Sequence, residues 1–198
     1  MSLEKKQSEL GKKTKNIHQD LIDACRLNDQ KAQLKIYKLY YKAMYNVSLR
    51  ILNDQMLAED TMQDAFLQAF QRIDQYDGIA TFGAWLKRIV INRSLDELKK
   101  IKGTVPFDEV KHDVPEVQEE DHLEVLSYKI ESIHEAIEKL PDGYRVVLSL
   151  YLLEGYDHEE ISKILEISYN ATRTKYSRAK NKLLGILKES QLNIAHLN

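Results

Sequence analysis

Asn170, Arg173, Thr174, Lys175, Ser177 and Arg178 crowd into the run NATRTKYSR, and each can donate hydrogen bonds. Arginine can pair in fork geometry with guanine edges, while lysine and hydroxyl groups suit phosphate oxygens. No carboxylate and no nucleophile–base pair accompanies them, so the chemistry on offer is recognition. From residue 171 to 188 there are six Lys or Arg residues (173, 175, 178, 180, 182 and 188) and no Asp or Glu. Wound as a helix, the run puts Asn170, Thr174, Ser177, Arg178 and Asn181 on one side, flanked by Arg173 and Lys175. Thr172, Tyr176, Ala179, Leu183 and Ile186 fall on the other. Such a face either reads a nucleic acid or is a solvated basic surface, and the run alone leaves both open.

The elements that must position this run lie just upstream. Asp157 with Glu160 forms a capping box, which predicts a helix start whose apolar face is Ile161, Ile164 and Leu165. Ser168 can cap a second helix. Two short helices joined by a tight break, the second basic outside, form a helix-turn-helix that can enter a major groove. Earlier, Ile130, Ile133, Ile137 and Leu140 recur at helical spacing. Pro141 can open the next helix, Val146, Val147, Leu150 and Leu153 fill it, and Gly155 ends it.

A second constellation sits in QMLAEDTMQDAFLQAFQRID, a helix expected over roughly 55–74. Ala58, Met62, Ala65, Phe66, Ala69, Phe70 and Ile73 make its inward stripe. Glu59, Asp60, Gln63, Asp64, Leu67 and Gln68 make the outward one. A leucine among acids and amides suits a protein-binding face, although lone exposed leucines are common. A loop through Asp77-Gly78 follows, and Thr81 caps a helix expected to reach Ile101. Trp85, Leu86, Ile89, Leu95 and Leu98 point inward there, leaving Lys87, Arg88, Asn92, Arg93, Lys99 and Lys100 for phosphates or solvent. Tyr37, Tyr40, Tyr41 and Tyr45 suggest either a base-stacking platform or core tyrosines with wet hydroxyls.

Scarce glycine and proline and the lack of β-branched alternation predict an all-α chain. Charge divides it. Residues 1–102 hold 18 basic and 13 acidic side chains, 103–127 one and eight, and 128–198 ten of each. With Gly103, Pro106 and Pro115, the acidic stretch reads as a linker. The expected plan is a basic tail (1–17), a helical domain (18–102), a flexible acidic linker (103–127), a helix-turn-helix domain (128–190) and a tail (191–198). Cys25 is the single cysteine, which excludes an internal disulfide and a cysteine zinc site and fits a reducing cytoplasm. No apolar run is long enough to span a bilayer, and no export signal is evident. His158-Glu159-Glu160 lacks HExxH spacing, so no metal, cofactor or enzyme activity is expected.

Three motifs in order resemble bacterial sigma factors of the extracytoplasmic-function class. AEDTMQDAFLQAF (58–70) is similar to AED-x-x-Q-(E/D)-x-F-x-x-(A/V)-(F/W). FGAWLKRIVINRSLDELKK (82–100) is similar to F-x-x-W-L-x-x-I-x-x-N-x-x-x-D-x-x-(R/K). LPDGYRVVLSL and the helix-turn-helix that follows resemble the family's LP-x-x-x-R-x-V stretch and its ending, SRA-(R/K)-x-x-L. The resemblance covers residues 20–102 and 128–188. It implies that Glu59, Asp60, Gln63, Asp64 and Leu67 grip the clamp coiled coil of the largest subunit of core RNA polymerase. It implies that the loop with Tyr76, Asp77, Gly78 and Thr81, together with Arg88 and Asn92, opens the minus-ten promoter element. Asn170, Arg173, Thr174, Lys175, Ser177 and Arg178 would read the minus-thirty-five element, and the C-terminal domain would touch the polymerase flap. An anti-sigma factor is the further implied partner.

Two departures stand out. Glu166 occupies a turn position where the family usually has glycine, and a side chain held there at positive φ costs about a kcal/mol. The DGIAT loop replaces a basic one, so promoter specificity does not transfer. The rival reading is a stand-alone helix-turn-helix regulator, with residues 18–102 as a sensing or dimerising domain. The linker charge is expected to weaken DNA binding by the free protein. Neutralising several of Asp108, Glu109, Asp113, Glu116, Glu119, Glu120, Asp121 and Glu124 should raise polymerase-independent DNA affinity at fixed salt. Unchanged affinity in a titration would count against this.

Overall fold

The computed structural model describes residues 17–103 and 129–195, and the acidic linker and the 1–16 tail fall outside them. Every regular element among the described residues is helical. The described residues divide into two compact units, 17–49 with 54–97, and 50–53 with 98–103 and 129–195. The division falls a few residues before the expected boundary at 102.

The first unit starts with α1 (Gln19–Arg26) and α2 (Gln30–Leu52). The sequence reads as one helical run here, but Asn28 takes the left-handed region at φ 59 and breaks it. Asparagine tolerates that conformation better than most residues. Asp54 caps α3 (Gln55–Gln71), its side chain accepting from the Leu57 N–H. A 3-10 turn (Ile73–Gln75) and a loop lead to α4 (Phe82–Lys102).

Ile22, Ile36, Met44, Ala58, Met62, Phe66, Phe82, Leu86 and Ile91 form the core of this unit. Small alanines on α3 (Ala58, Ala65, Ala69) are fully buried and let helices approach closely. Tyr37 meets Phe66 edge-on at 4.9 Å, and Tyr40 meets Phe82 at 5.6 Å. Those two tyrosines are therefore core aromatics rather than a stacking platform. Gly83 lies where α4 passes Tyr40, and a Cβ there would stand 3.0 Å from that ring, so the ring would have to give way slightly. Ser48 and Ser94 satisfy each other across α2 and α4 at 2.9 Å, which removes the cost of burying two hydroxyls. On α4, Trp85 and Ile89 are only half-buried, while Val90 and Ile91 are fully buried.

The second unit contains α5 (Ile130–Glu138), α6 (Asp142–Leu148), α7 (His158–Leu165) and α8 (Tyr169–Ala195). A π-helical turn, Ser149–Leu153, extends α6. Pro141 stands just before α6, as its missing N–H allows. Arg145 is buried, ion-paired to Asp142 at 2.7 Å and donating to the Leu140 carbonyl at 3.3 Å. That arginine thus stitches the α5–α6 corner, a structural role for the R of the LP-x-x-x-R motif. Helix α8 packs along α5, α6 and α7.

Both bonds of the expected Asp157–Glu160 capping box are present. Glu166 ends α7 at φ 58 and ψ 37, so the turn keeps the glycine-type conformation without glycine. Replacing Glu166 with Gly should stabilise this unit by about 0.5–1 kcal/mol, since the left-handed strain outweighs the extra chain entropy of glycine. Denaturant unfolding should show a higher midpoint for E166G, and an equal or lower midpoint would mean the turn is unstrained.

Candidate nucleic-acid interface and protein-docking face

The first unit presents two faces. On α3, Glu59, Asp60, Gln63, Asp64 and Leu67 are all exposed, Leu67 at 61%. Met56, 78% exposed, belongs to the same face. It was missed in the sequence, although the spacing 56, 60, 63, 67 is one helical row. Two apolar side chains thus bracket an acidic patch about 16 Å long at 1.5 Å rise per residue. Gln63 donates to Glu59 at 3.4 Å, and Asp64 is paired with Arg93 of α4 at 2.9 Å. Arg93 therefore has a carboxylate partner on α3, in a pair wet enough to be exchanged at small cost.

The second face is the loop before α4. The Asp77 carboxylate accepts from the Ile79 N–H at 2.9 Å, and Gly78 turns the chain at φ 77. Thr81 accepts from the Ala84 N–H at 3.3 Å, capping α4 as its sequence predicts. Exposed Arg88 and Asn92 follow on the same side of that helix, one turn apart. Tyr76, expected by resemblance to act with this loop on the minus-ten element, is buried. It is 2% exposed, donates to the Ala80 carbonyl at 2.7 Å, and packs against Phe82 and Trp85 at 5.4 and 5.5 Å. An aromatic ring next to Phe and Trp gains more from burial than from solvent, and its hydroxyl finds a partner within its own loop. Ile79, 78% exposed at the loop tip, is an apolar side chain the motif reading passed over.

In the second unit the first three turns of α8 carry the candidate base-reading residues. Ser168 caps it, its Oγ accepting from the Ala171 N–H at 3.1 Å. Asn170 and Arg178 are exposed, and Arg173 and Ser177 are half-buried. Thr174 and Lys175 are buried, at 3% and 5% exposure, contrary to their expected outward position. Lys175 stands beside the inward stripe of α8, next to buried Thr174 and Tyr176. The inward stripe of α8 does not account for the burial of Thr174, which stands opposite it.

Behind this turn is a ring cluster. His158 stacks on Tyr151 at 4.7 Å and meets Tyr176 edge-on at 5.0 Å, while Tyr151 and Tyr176 lie 4.4 Å apart. Burial, reinforced by the neighbouring Tyr151, pushes the Tyr176 phenol up to about 12. This phenol stays neutral and supports α8 throughout the neutral range. No group of His, Cys, Asp and Glu able to hold a metal ion occurs among the described residues.

Comparison with known proteins follows the same division. The Sigma-70 region 2 model matches residues 36–104, and the Sigma-70, region 4 model matches 130–183. The chain is 30% identical over 175 residues to the ECF RNA polymerase sigma factor SigW of Bacillus subtilis, covering 82% of this chain and 92% of that one. It is 26% identical over 177 residues to the RNA polymerase sigma-H factor of Pseudomonas aeruginosa, covering 84% and 92%. Among solved structures, the sigma factor RpoE of Bartonella quintana, determined with the anti-sigma factor NepR, has the same fold. It aligns with a TM-score of 0.54 at 20% identity, over 78% of this chain and 95% of that one. With both regions present in order, this chain belongs to the extracytoplasmic-function class of sigma-70 family RNA polymerase sigma factors.

Proposed function

We propose that the chain binds core RNA polymerase, recognises promoters at the minus-thirty-five and minus-ten elements, and promotes strand opening. The observation that carries this reading is the ordered match of sigma-70 regions 2 and 4 to the helices bearing the three faces. The α3 face, with Glu59, Asp60, Gln63, Asp64 and Leu67, grips the clamp coiled coil of the largest subunit, and Met56 extends it. The loop of Asp77, Gly78 and Thr81, with Arg88 and Asn92, holds the opened minus-ten strand. Base unstacking there costs a few kcal/mol, offset by loop and phosphate contacts. Tyr76 supports the loop from beneath. Helix α8 reads the minus-thirty-five duplex through Asn170, Arg173, Ser177 and Arg178, with Thr174 and Lys175 placed at its covered edge.

The protein is a non-catalytic initiation factor that works in the cytoplasm, with the domains at 18–102 and 128–190 as its functional halves. Its C-terminal domain also meets the polymerase flap, and an anti-sigma factor is its regulatory partner. No described helix is long and apolar enough to cross a membrane. A stand-alone regulator would bind a duplex operator by itself as a symmetric dimer. A sigma factor binds DNA weakly alone and opens it only with core enzyme.

Run-off transcription with core polymerase on genomic fragments separates the two, and absence of any promoter-specific product with a compatible core would end the sigma reading. Leu67→Arg should weaken core binding about tenfold, the loss of a desolvated apolar contact worth ~1.4 kcal/mol. Titration of labelled protein against core enzyme checks this, with unchanged far-UV circular dichroism as the folding control. Arg178→Ala should cost ~1–3 kcal/mol at a single minus-thirty-five base pair and little elsewhere. Holoenzyme binding to a set of single-base promoter variants measures it, and a uniform loss would mark Arg178 as a phosphate contact.

A further inference from the structure

The first turn of α8 contains one residue that no motif points to. Tyr169 is the first residue of the helix and is 48% exposed. The guanidinium carbon of Arg173, one turn later, lies 5.9 Å from the centre of its ring. A guanidinium at that distance is attracted by the ring face, and Arg stacks flat on it better than Lys can. Tyr169 also meets His158 in an edge-to-face arrangement, with ring centroids 6.4 Å apart. His158 is itself held by Tyr151 and buried Tyr176. The order of support therefore runs from the core through His158 and Tyr169 to Arg173. Without the ring, a cation in the first turns of a helix would be repelled by the helix dipole and would sample many rotamers.

We propose that Tyr169 is the positioning residue for Arg173, fixing its guanidinium before DNA arrives and thereby setting base discrimination in the minus-thirty-five element. This rests on the proposed function for the DNA-reading part, while the geometry itself is testable without it. An arginine fixed in place loses less freedom on forming a two-bond contact with a guanine edge, so discrimination, rather than general DNA affinity, depends on the tyrosine. The ring acts; the phenolic hydroxyl does not.

Two measurements on the full chain test it. The first is side-chain NMR of the free protein labelled with 15N-arginine. The Arg173 Nε–H signal should carry a ring-current shift in wild type and Tyr169→Phe, and lose it in Tyr169→Leu. No such shift in wild type would overturn the placement, whatever the protein's function. The second is holoenzyme binding to promoters altered singly in the minus-thirty-five element. Tyr169→Leu should lower discrimination at the base pair read by Arg173 several-fold, up to about tenfold. It should leave the salt dependence of binding unchanged and have no added effect in an Arg173→Ala background. Tyr169→Phe should match wild type. Loss of discrimination in Tyr169→Phe would assign a direct hydroxyl contact instead, and a Tyr169→Leu effect that persists without Arg173 would equally overturn the proposal. If wild type gives no promoter-specific binding with core enzyme, the proposed function fails, and the NMR result still decides the positioning.

Discussion

Helix α8 has to be bound to its own protein along one side and readable by a nucleic acid along another. The inward side is filled by Thr172, Tyr176, Ala179, Leu183 and Leu187, all buried. Their spacing sets the rotation of the helix about its axis, and that rotation decides which side chains are left outside. The turn before it sets the direction of entry. Asp157 and Glu160 fix the start of α7, Glu166 reverses the chain in the left-handed region, and Ser168 fixes the start of α8. The two caps each contribute on the order of 1 kcal/mol, and the left-handed Glu166 costs about as much. Together they define a recognition helix whose first turn is specified on every side.

The fold was largely legible because helices announce themselves locally. The capping box at Asp157, the Thr81 cap, the alanine stripe of α3 and Pro141 before α6 all depend on residues close in sequence. The strain at Glu166 follows from one residue at one position, but the geometry of its turn was not legible, and only the structure shows it kept at φ 58. Exposure was also less legible. A helical wheel distinguishes the face toward a core from the rest, yet it gives no information about what else lies near the rest. Thr174 and Lys175 look outward or marginal on the wheel and are buried. Tyr76 lies in a loop, where periodicity is silent, and only its proximity to Phe82 and Trp85 reveals its role. Met56 was visible at helical spacing and was overlooked because the family motif begins two residues later. Tyr169 was invisible for a different reason, since a cation–ring contact one turn apart has no motif of its own.

Charge is unevenly distributed along the chain, although its net value is modest. The first 102 residues are basic on balance, the linker strongly acidic and the C-terminal part neutral overall. Nonspecific DNA affinity scales with the number of phosphates neutralised and falls steeply with salt. A C-terminal unit with as many carboxylates as cations therefore gains little from phosphate alone. Specific contacts by a few well-placed side chains must carry a larger share, which is where a fixed arginine has most effect.

The same economy operates at the α3 face. Asp64 is more than half exposed and its partner Arg93 about one-third exposed. An ion pair that wet is worth roughly 0–1 kcal/mol, because water and salt screen it and both side chains lose freedom in forming it. It contributes little to the stability of the unit, whose core already holds buried Phe66, Ala65 and their apolar neighbours. What it does is keep Asp64 in a defined position beside Leu67 while leaving it able to change partners at small cost. The α3 face thus combines exposed apolar side chains with a loosely held carboxylate, a chemistry that complements a cationic, partly apolar surface.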